Sequence, residues 1–94
     1  MYTLAFTAAA SDKWRKLDKG VQDQFVKVLD RRLIEPHIRK SLLRGSLAGL
    51  YKISLHKAGY RLVYELVEDT VVVLVLSVGK RDKDEAYRQA LESD

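Results

Sequence analysis

Cysteine is absent from the chain, which rules out a disulfide framework and any thiolate metal site; nothing in the composition calls for an oxidising compartment. The two histidines, His37 and His56, are too few for an ordinary zinc site unless carboxylates complete it. No metal or cofactor is expected. Long hydrophobic runs are missing as well. The longest strongly apolar stretch, Val71 to Leu76, is far too short to cross a bilayer, and the amino terminus lacks the basic, apolar and small-residue segments of a secretory signal. The expectation is a soluble cytoplasmic protein with no membrane partner. Proline occurs once and glycine five times against a hydrophobic share of 47%, the balance of a folded chain and not of a disordered one. No internal repeat is present, and 94 residues suit one domain over residues 1–94, because a chain this short closes a single core.

Charge is plentiful but uneven. Residues 1–47 carry ten Lys or Arg against five acids, whereas residues 48–94 carry seven against eight, within a formal total of +4. A basic first half is compatible with a nucleic-acid surface, because Lys and Arg that neutralise phosphates release counterions; a solvated helix face explains it equally well. In the second half the cations are notable for where they sit.

The apolar spacing predicts the elements in turn. Tyr2 to Phe6 reads as a short strand. Thr7 is placed to cap a helix in which Ala10, Trp14 and Leu17 recur at helical spacing, and Asp18 to cap a second helix with the stripe Val21, Phe25, Val28, Leu29 and Leu33. Pro36 ends that helix by pushing its predecessor out of helical geometry, so a helical hairpin is expected. Residues 37–49 form a connection, after which the period becomes two. Tyr51, Ile53 and Leu55 alternate with Lys52, Ser54 and His56; a turn at Lys57-Ala58-Gly59 leads into a second strand from Tyr60 to Val67. Val71 to Val78, apolar at nearly every position, reads as a central strand. A final helix is predicted from a cap at Asp82, with Glu85 three residues later, through Leu91. The fold class is α+β: an N-terminal strand and helical hairpin on a small, mainly antiparallel sheet of about four strands, with a C-terminal helix.

A strand buried on one face tolerates Lys or Arg only on the other. Lys52, Arg61 and Arg81 therefore point out of one sheet toward an anion, and Tyr87 on the last helix overlooks the same end. A pocket walled by these four residues is the expectation. Three of the four also have an ordinary explanation, Tyr87 as a core tyrosine, Lys52 as an edge-strand charge that discourages aggregation and Arg61 as the partner of Glu65, and His56 reads as a solvated residue near a turn. The pocket offers neither a Walker-type glycine loop, nor an acidic orienter for Ser54 and His56, nor paired carboxylates. A cationic cleft with a phenol suits phosphate chemistry. When a ribose 2′-hydroxyl attacks the adjacent phosphodiester, charge accumulates on the phosphoryl oxygens, where guanidinium groups stabilise it. A base and an acid must move two protons, and neither step needs a metal.

Trp14-Arg15-Lys16-Leu17, Leu43-Arg44-Gly45, Leu50-Tyr51-Lys52-Ile53, Gly59-Tyr60-Arg61-Leu62-Val63-Tyr64 and Ser77-Val78-Gly79-Lys80-Arg81, followed by Tyr87, resemble the RelE family of bacterial toxin–antitoxin toxins in order and spacing over nearly the whole chain. The resemblance implies a toxin that cuts messenger RNA in the ribosomal A site. It also implies a cognate RelB-like antitoxin that blocks the cleft and supplies DNA contact only through the complex. By position, Lys52, Arg61, Arg81 and Tyr87 match the family's catalytic residues: Lys52 and Tyr87 for proton transfer, Arg61 for the scissile phosphate, Arg81 for charge stabilisation or leaving-group protonation. Arg31, Arg32, Lys40, Arg44, Ser54 and His56 are the expected RNA- and ribosome-binding set. Ser54 stands where the best-known members carry a second lysine, leaving His56 or Arg44 to compensate. Two other readings remain: a ParE-like DNA gyrase inhibitor on the same fold, and a non-catalytic ribosome- or RNA-binding module.

Overall fold

A computed structural model describes residues 1–92 of the chain. Strand β1 (Thr3–Phe6) leads into helix α1 (Ala8–Arg15) and helix α2 (Lys19–Ile34); strands β2 (Tyr51–Leu55), β3 (Tyr60–Val67) and β4 (Val72–Lys80) follow, and helix α3 (Glu85–Leu91) comes last. The four strands form one mixed sheet in the order β1-β4-β3-β2. β2, β3 and β4 are antiparallel neighbours, while β1 lies parallel to β4 at the far edge. Among the described residues no helix is long and apolar enough to cross a membrane.

Local signals act where the spacing places them. The Thr7 hydroxyl accepts from Ala10 N at 3.1 Å and caps α1, satisfying one of the donors every helix start leaves open. Val21, Phe25 and Leu29, spaced by four, are the buried stripe of α2. α2 stops at Ile34, before Pro36. The turn between β2 and β3 is permitted by Gly59, whose φ of +76° favours a residue without Cβ.

The sheet is covered on both faces. On one, Phe25 and Leu29 of α2 and Ala10 of α1 meet Ile53, Leu62, Tyr64, Val73 and Val75. On the other, Val63 is sealed by Ala86 and Ala90 of α3, with Leu43, Leu47 and Leu50 packed around them. The leucines of the 37–49 connection thus build part of a second, smaller core. That connection includes single 3-10 turns at Arg39–Ser41 and Gly45–Leu47.

The start of α3 corrects the sequence reading. Arg81–Lys83 makes a 3-10 turn and Asp84 adopts a left-handed conformation, φ 51°, before the helix opens at Glu85. Asp82 does not cap the helix, because the Glu85 carboxylate turns back to the end of β4 and accepts from Lys80 N at 2.9 Å. This bond to a backbone N–H holds the Glu85 carboxyl below the usual carboxylate range.

Candidate active site

The sheet face beneath α3 carries the strand cations. Ser54 pairs with Arg61 across β2 and β3, and Arg61 pairs with Gly79 across β3 and β4. Lys52, opposite Val63, is the diagonal neighbour of Arg61 on this face, within reach of a long side chain. Ile53 and Leu55 are buried on the other side, so Lys52 and Ser54 share the face of Arg61 by alternation.

Arg61 is the most constrained of the four expected catalytic residues. Its guanidinium carbon stands 4.3 Å from the centre of the Tyr87 ring, and Nη1 donates to Asp84 Oδ1 at 3.3 Å. Its side chain is only 13% exposed, while that of Asp84 is 65% exposed, so the ring is the firmer of the two contacts. A cation over an aromatic face contributes about 0.5–2 kcal/mol, depending on desolvation. An ion pair with so exposed a partner contributes about 1 kcal/mol or less. The expected partner Glu65 takes no part; the register carries Arg61 to the segment between β4 and α3 instead.

Gly79 makes this closeness possible. A Cβ built there would lie 2.4 Å from Glu85 Cβ and 3.1 Å from Ala86 N, so only glycine lets the first turn of α3 rest directly on β4. The Ser77 hydroxyl donates to Ala86 O at 2.6 Å and ties the same turn to the strand. Tyr87 and Asp84 are thereby both delivered to Arg61.

Arg81 follows directly at the end of β4. Its backbone N–H donates to Gly59 O at 2.9 Å, stapling the β2–β3 turn to this end of the sheet. Arg61 Nε and Arg81 Nε are both buried without a hydrogen-bond partner among the described residues. An open groove of about 620 Å³ runs beside Arg81, lined by Ala58, Gly59, Tyr60, Lys80, Arg81 and Asp82. Lys52, Arg61 and Tyr87 do not line it. Instead of one pocket with four walls, a stacked Arg61–Tyr87 pair stands on the α3 face and Arg81 adjoins a groove around the sheet end. Lys52 is half-buried on the β2 edge.

The six expected binding residues are dispersed. Arg31 is exposed on α2, across the sheet from Arg61. Arg32 departs from the expectation of a surface cation. It is half-buried, donates from Nη1 to the Tyr64 hydroxyl at 2.8 Å and to Lys52 O at 3.3 Å, and from Nη2 to Ser41 Oγ at 3.0 Å. The Tyr64 hydroxyl in turn donates to Pro36 O at 2.8 Å, and burial pushes its phenol above the ordinary tyrosine range against the opposing pull of Arg32. Arg32 is thus committed to joining α2 to β2, β3 and the Arg39–Ser41 turn. Lys40, Arg44 and His56 are exposed, and Ser54 is half-buried opposite Arg61. Among the described residues, no group of three or more His, Asp or Glu is placed to hold a metal ion.

Sequence reasoning passed over Asp84, met Gly79 only within the family resemblance and read Glu85 as half of a capping box. The signal in Gly79 is a glycine at the end of an apolar strand run, which marks close approach of another backbone.

Comparison with known proteins agrees with this architecture. Residues 4–85 match the family model described as ParE toxin of type II toxin-antitoxin system, parDE. The mRNA interferase toxin RelE of Escherichia coli K12 is 44% identical over 91 residues, covering 97% of this chain and 95% of the relative. The crystal structure of the isolated E. coli RelE toxin superposes with a TM-score of 0.83 at 42% identity, covering 98% of this chain and 97% of that one. The toxin in the intact E. coli RelBE toxin–antitoxin complex superposes with a TM-score of 0.80 at 45% identity, over 85% of this chain and 96% of that one. A family match over most of the chain, joined to this identity and this shared fold, makes the protein a member of the RelE/ParE family of type II toxin–antitoxin toxins.

Proposed function

We propose that this chain is a ribosome-dependent mRNA interferase, an endoribonuclease toxin that cuts messenger RNA in the ribosomal A site and so stops translation in the cytoplasm. The observation that carries the reading is Arg61, an almost buried guanidinium held over the Tyr87 ring, on the sheet face of Lys52 and near the end of β4, which Arg81 follows. The relative at 44% identity is named an mRNA interferase.

In this reading the 2′-hydroxyl attacks the adjacent phosphorus, a P–O bond forms, and the bond to the 5′-oxygen of the next nucleotide breaks, leaving a 2′,3′-cyclic phosphate. Arg61 holds the scissile phosphate and stabilises the charge that grows on its oxygens. Asp84 holds Arg61 Nη1 until the phosphate takes its place. Lys52 and Tyr87 carry the two proton transfers, one from the 2′-oxygen and one toward the 5′-oxygen. Arg81 stabilises charge at the leaving side. Ser54 leaves the cleft one cation short of the best-known family members, and the ribosome supplies the positioning that these few groups do not. Arg31, Lys40, Arg44 and His56 contact ribosomal RNA or the message; Arg32 acts only by holding Lys52's strand. A RelB-like antitoxin neutralises the toxin, as a RelBE complex exists for the relative, and DNA is met only through that complex.

The family model's description as a ParE toxin keeps one second reading, inhibition of DNA gyrase. Induced expression followed by mapping of messenger RNA ends separates them. New ends at A-site codons, lost in Arg81→Ala, are expected. Intact messages together with inhibited supercoiling establish the gyrase reading, and ribosome binding without new ends establishes a non-catalytic module.

A further inference from the structure

Arg61 is held quite differently from the structural arginine of this chain. Arg32 is saturated by neutral acceptors, both terminal nitrogens being bonded among the Tyr64 hydroxyl, Lys52 O and Ser41 Oγ. The Arg61 guanidinium has the Tyr87 ring against one face, an Nε with no hydrogen-bond partner among the described residues, and a bond from Nη1 to Asp84 Oδ1. A guanidinium–carboxylate bond is strong when it is short and two-pronged. This one is a single bond of 3.3 Å, and it ends on a carboxylate that is 65% exposed. Asp84 also forgoes the task usual at its position. It is the residue before α3, from which a carboxylate commonly accepts from the N–H groups of the helix start, yet it makes no such bond. Its left-handed backbone, φ 51°, is fixed by Asp84 N donating to Arg81 O at 3.2 Å and Arg88 N donating to Asp84 O at 3.0 Å, while its carboxylate goes to Arg61.

We propose that Asp84 is a built-in rival of the RNA phosphate, an autoinhibitory contact that lowers the affinity of the free toxin for single-stranded RNA. The inference rests on the role given to Arg61 in the function proposed above. A carboxylate and a phosphodiester each carry negative charge and accept from the same N–H groups, so the two compete for Arg61 and repel each other beside it. RNA must displace Asp84 before Arg61 can hold it. A message fixed on the ribosome brings its phosphate to Arg61 at a high effective concentration and wins the exchange; a loose RNA competes on affinity alone. Asp84 thereby biases the toxin toward positioned messages.

The test is a titration of the free toxin at low salt with a single-stranded RNA tetranucleotide carrying 2′-O-methyl groups, which has no free 2′-hydroxyl to attack, followed by the NMR shifts of the Tyr87 ring. Asp84→Asn, which tolerates the left-handed backbone and drops the charge, is expected to bind about fivefold tighter than wild type, the upper end for an ion pair with an exposed partner. Asp84→Gly, which suits φ 51° and drops the acceptor too, shows at least the same gain. A merely structural residue would lose affinity when replaced. In an Arg61→Gln background the gain from Asp84→Asn falls below about twofold, because the rivalry needs Arg61. Asp82→Asn, the same change of charge in the same segment, also gives less than about twofold. Equal affinity in wild type and both Asp84 variants overturns the proposal. So does a gain that survives Arg61→Gln or is matched by Asp82→Asn, and so does a ring that fails to respond in all of these proteins. Wild-type toxin that binds the RNA in this way but cuts no message on programmed ribosomes overturns the nuclease and leaves the rivalry of Asp84 with phosphate standing.

Discussion

Gly79→Ala tests how β4 and α3 build the site. In an ordinary strand this substitution stabilises, because alanine loses less backbone freedom than glycine by about 0.5–1 kcal/mol. Here the sign reverses. The new Cβ would stand 2.4 Å from Glu85 Cβ, where ordinary contact begins at 3.4 Å, and 3.1 Å from Ala86 N. Both obstacles belong to the root of the helix, not to a flexible side-chain tip, so the first turn of α3 must retreat by about an ångström. Overpacking of this kind costs about 1–3 kcal/mol, and the bonds from Ser77 to Ala86 O and from Lys80 N to Glu85 stretch with it. With a urea dependence of about 1–3 kcal/mol per molar, the unfolding midpoint falls by roughly 1 M at unchanged slope. Tyr87 and Asp84 ride on the displaced segment, and misplacement by about 1 Å costs on the order of 100-fold in rate. Urea titration paired with cleavage on programmed ribosomes reads both effects. A variant as stable and as active as wild type refutes the close approach, and with it the reason Tyr87 meets Arg61.

Tyr64→Phe removes the donor to Pro36 O and the acceptor for Arg32 in a buried setting, so urea unfolding should register a loss of about 1–3 kcal/mol. Because burial raises the Tyr64 phenol above its ordinary 10.0, its contribution is fully present below pH 10.0 and is lost as pH rises through the folded value. The alkaline limb of the wild-type stability curve should be shallower in the variant. Glu85→Gln acts at the other end of the scale: the carboxyl is held below its ordinary 4.5, so its stabilisation is present above pH 4.5 and fades as pH falls through the lower, folded value. Wild type and Glu85→Gln should differ at neutral pH and converge in acid, as followed by thermal melts. Arg61→Lys keeps the charge but loses the planar fork; single-turnover cleavage should slow by about 100-fold with ribosome binding little changed, and a rate near wild type would remove Arg61 from the phosphate.

The elements legible in the chain are those set by local spacing. The stripe Val21, Phe25 and Leu29, the cap at Thr7 and the alternation around Ile53 and Leu62 each state their own geometry, and alternation alone placed Lys52 and Arg61 on one face. What stayed hidden depends on segments meeting in space. Asp82 and Glu85 spell a capping box, yet the Glu85 carboxylate finds a free N–H at Lys80, and the helix starts later. Arg32 looks like one more cation on a basic helix, but its bonds to Tyr64 and Ser41 turn it inward. Leu43, Leu47 and Leu50 sit in a stretch without periodicity and still cover Val63, because an irregular connection can bury side chains that no repeat announces.

The central claim is that this site makes a 2′-hydroxyl attack the neighbouring phosphate. Its most direct test is single-turnover cleavage on ribosomes whose message carries one 2′-deoxynucleotide at the mapped cut position. Cleavage at that linkage should vanish while toxin binding persists, and the all-ribose message should yield a 2′,3′-cyclic phosphate. Cutting of the deoxy-substituted linkage at the normal rate would contradict the account.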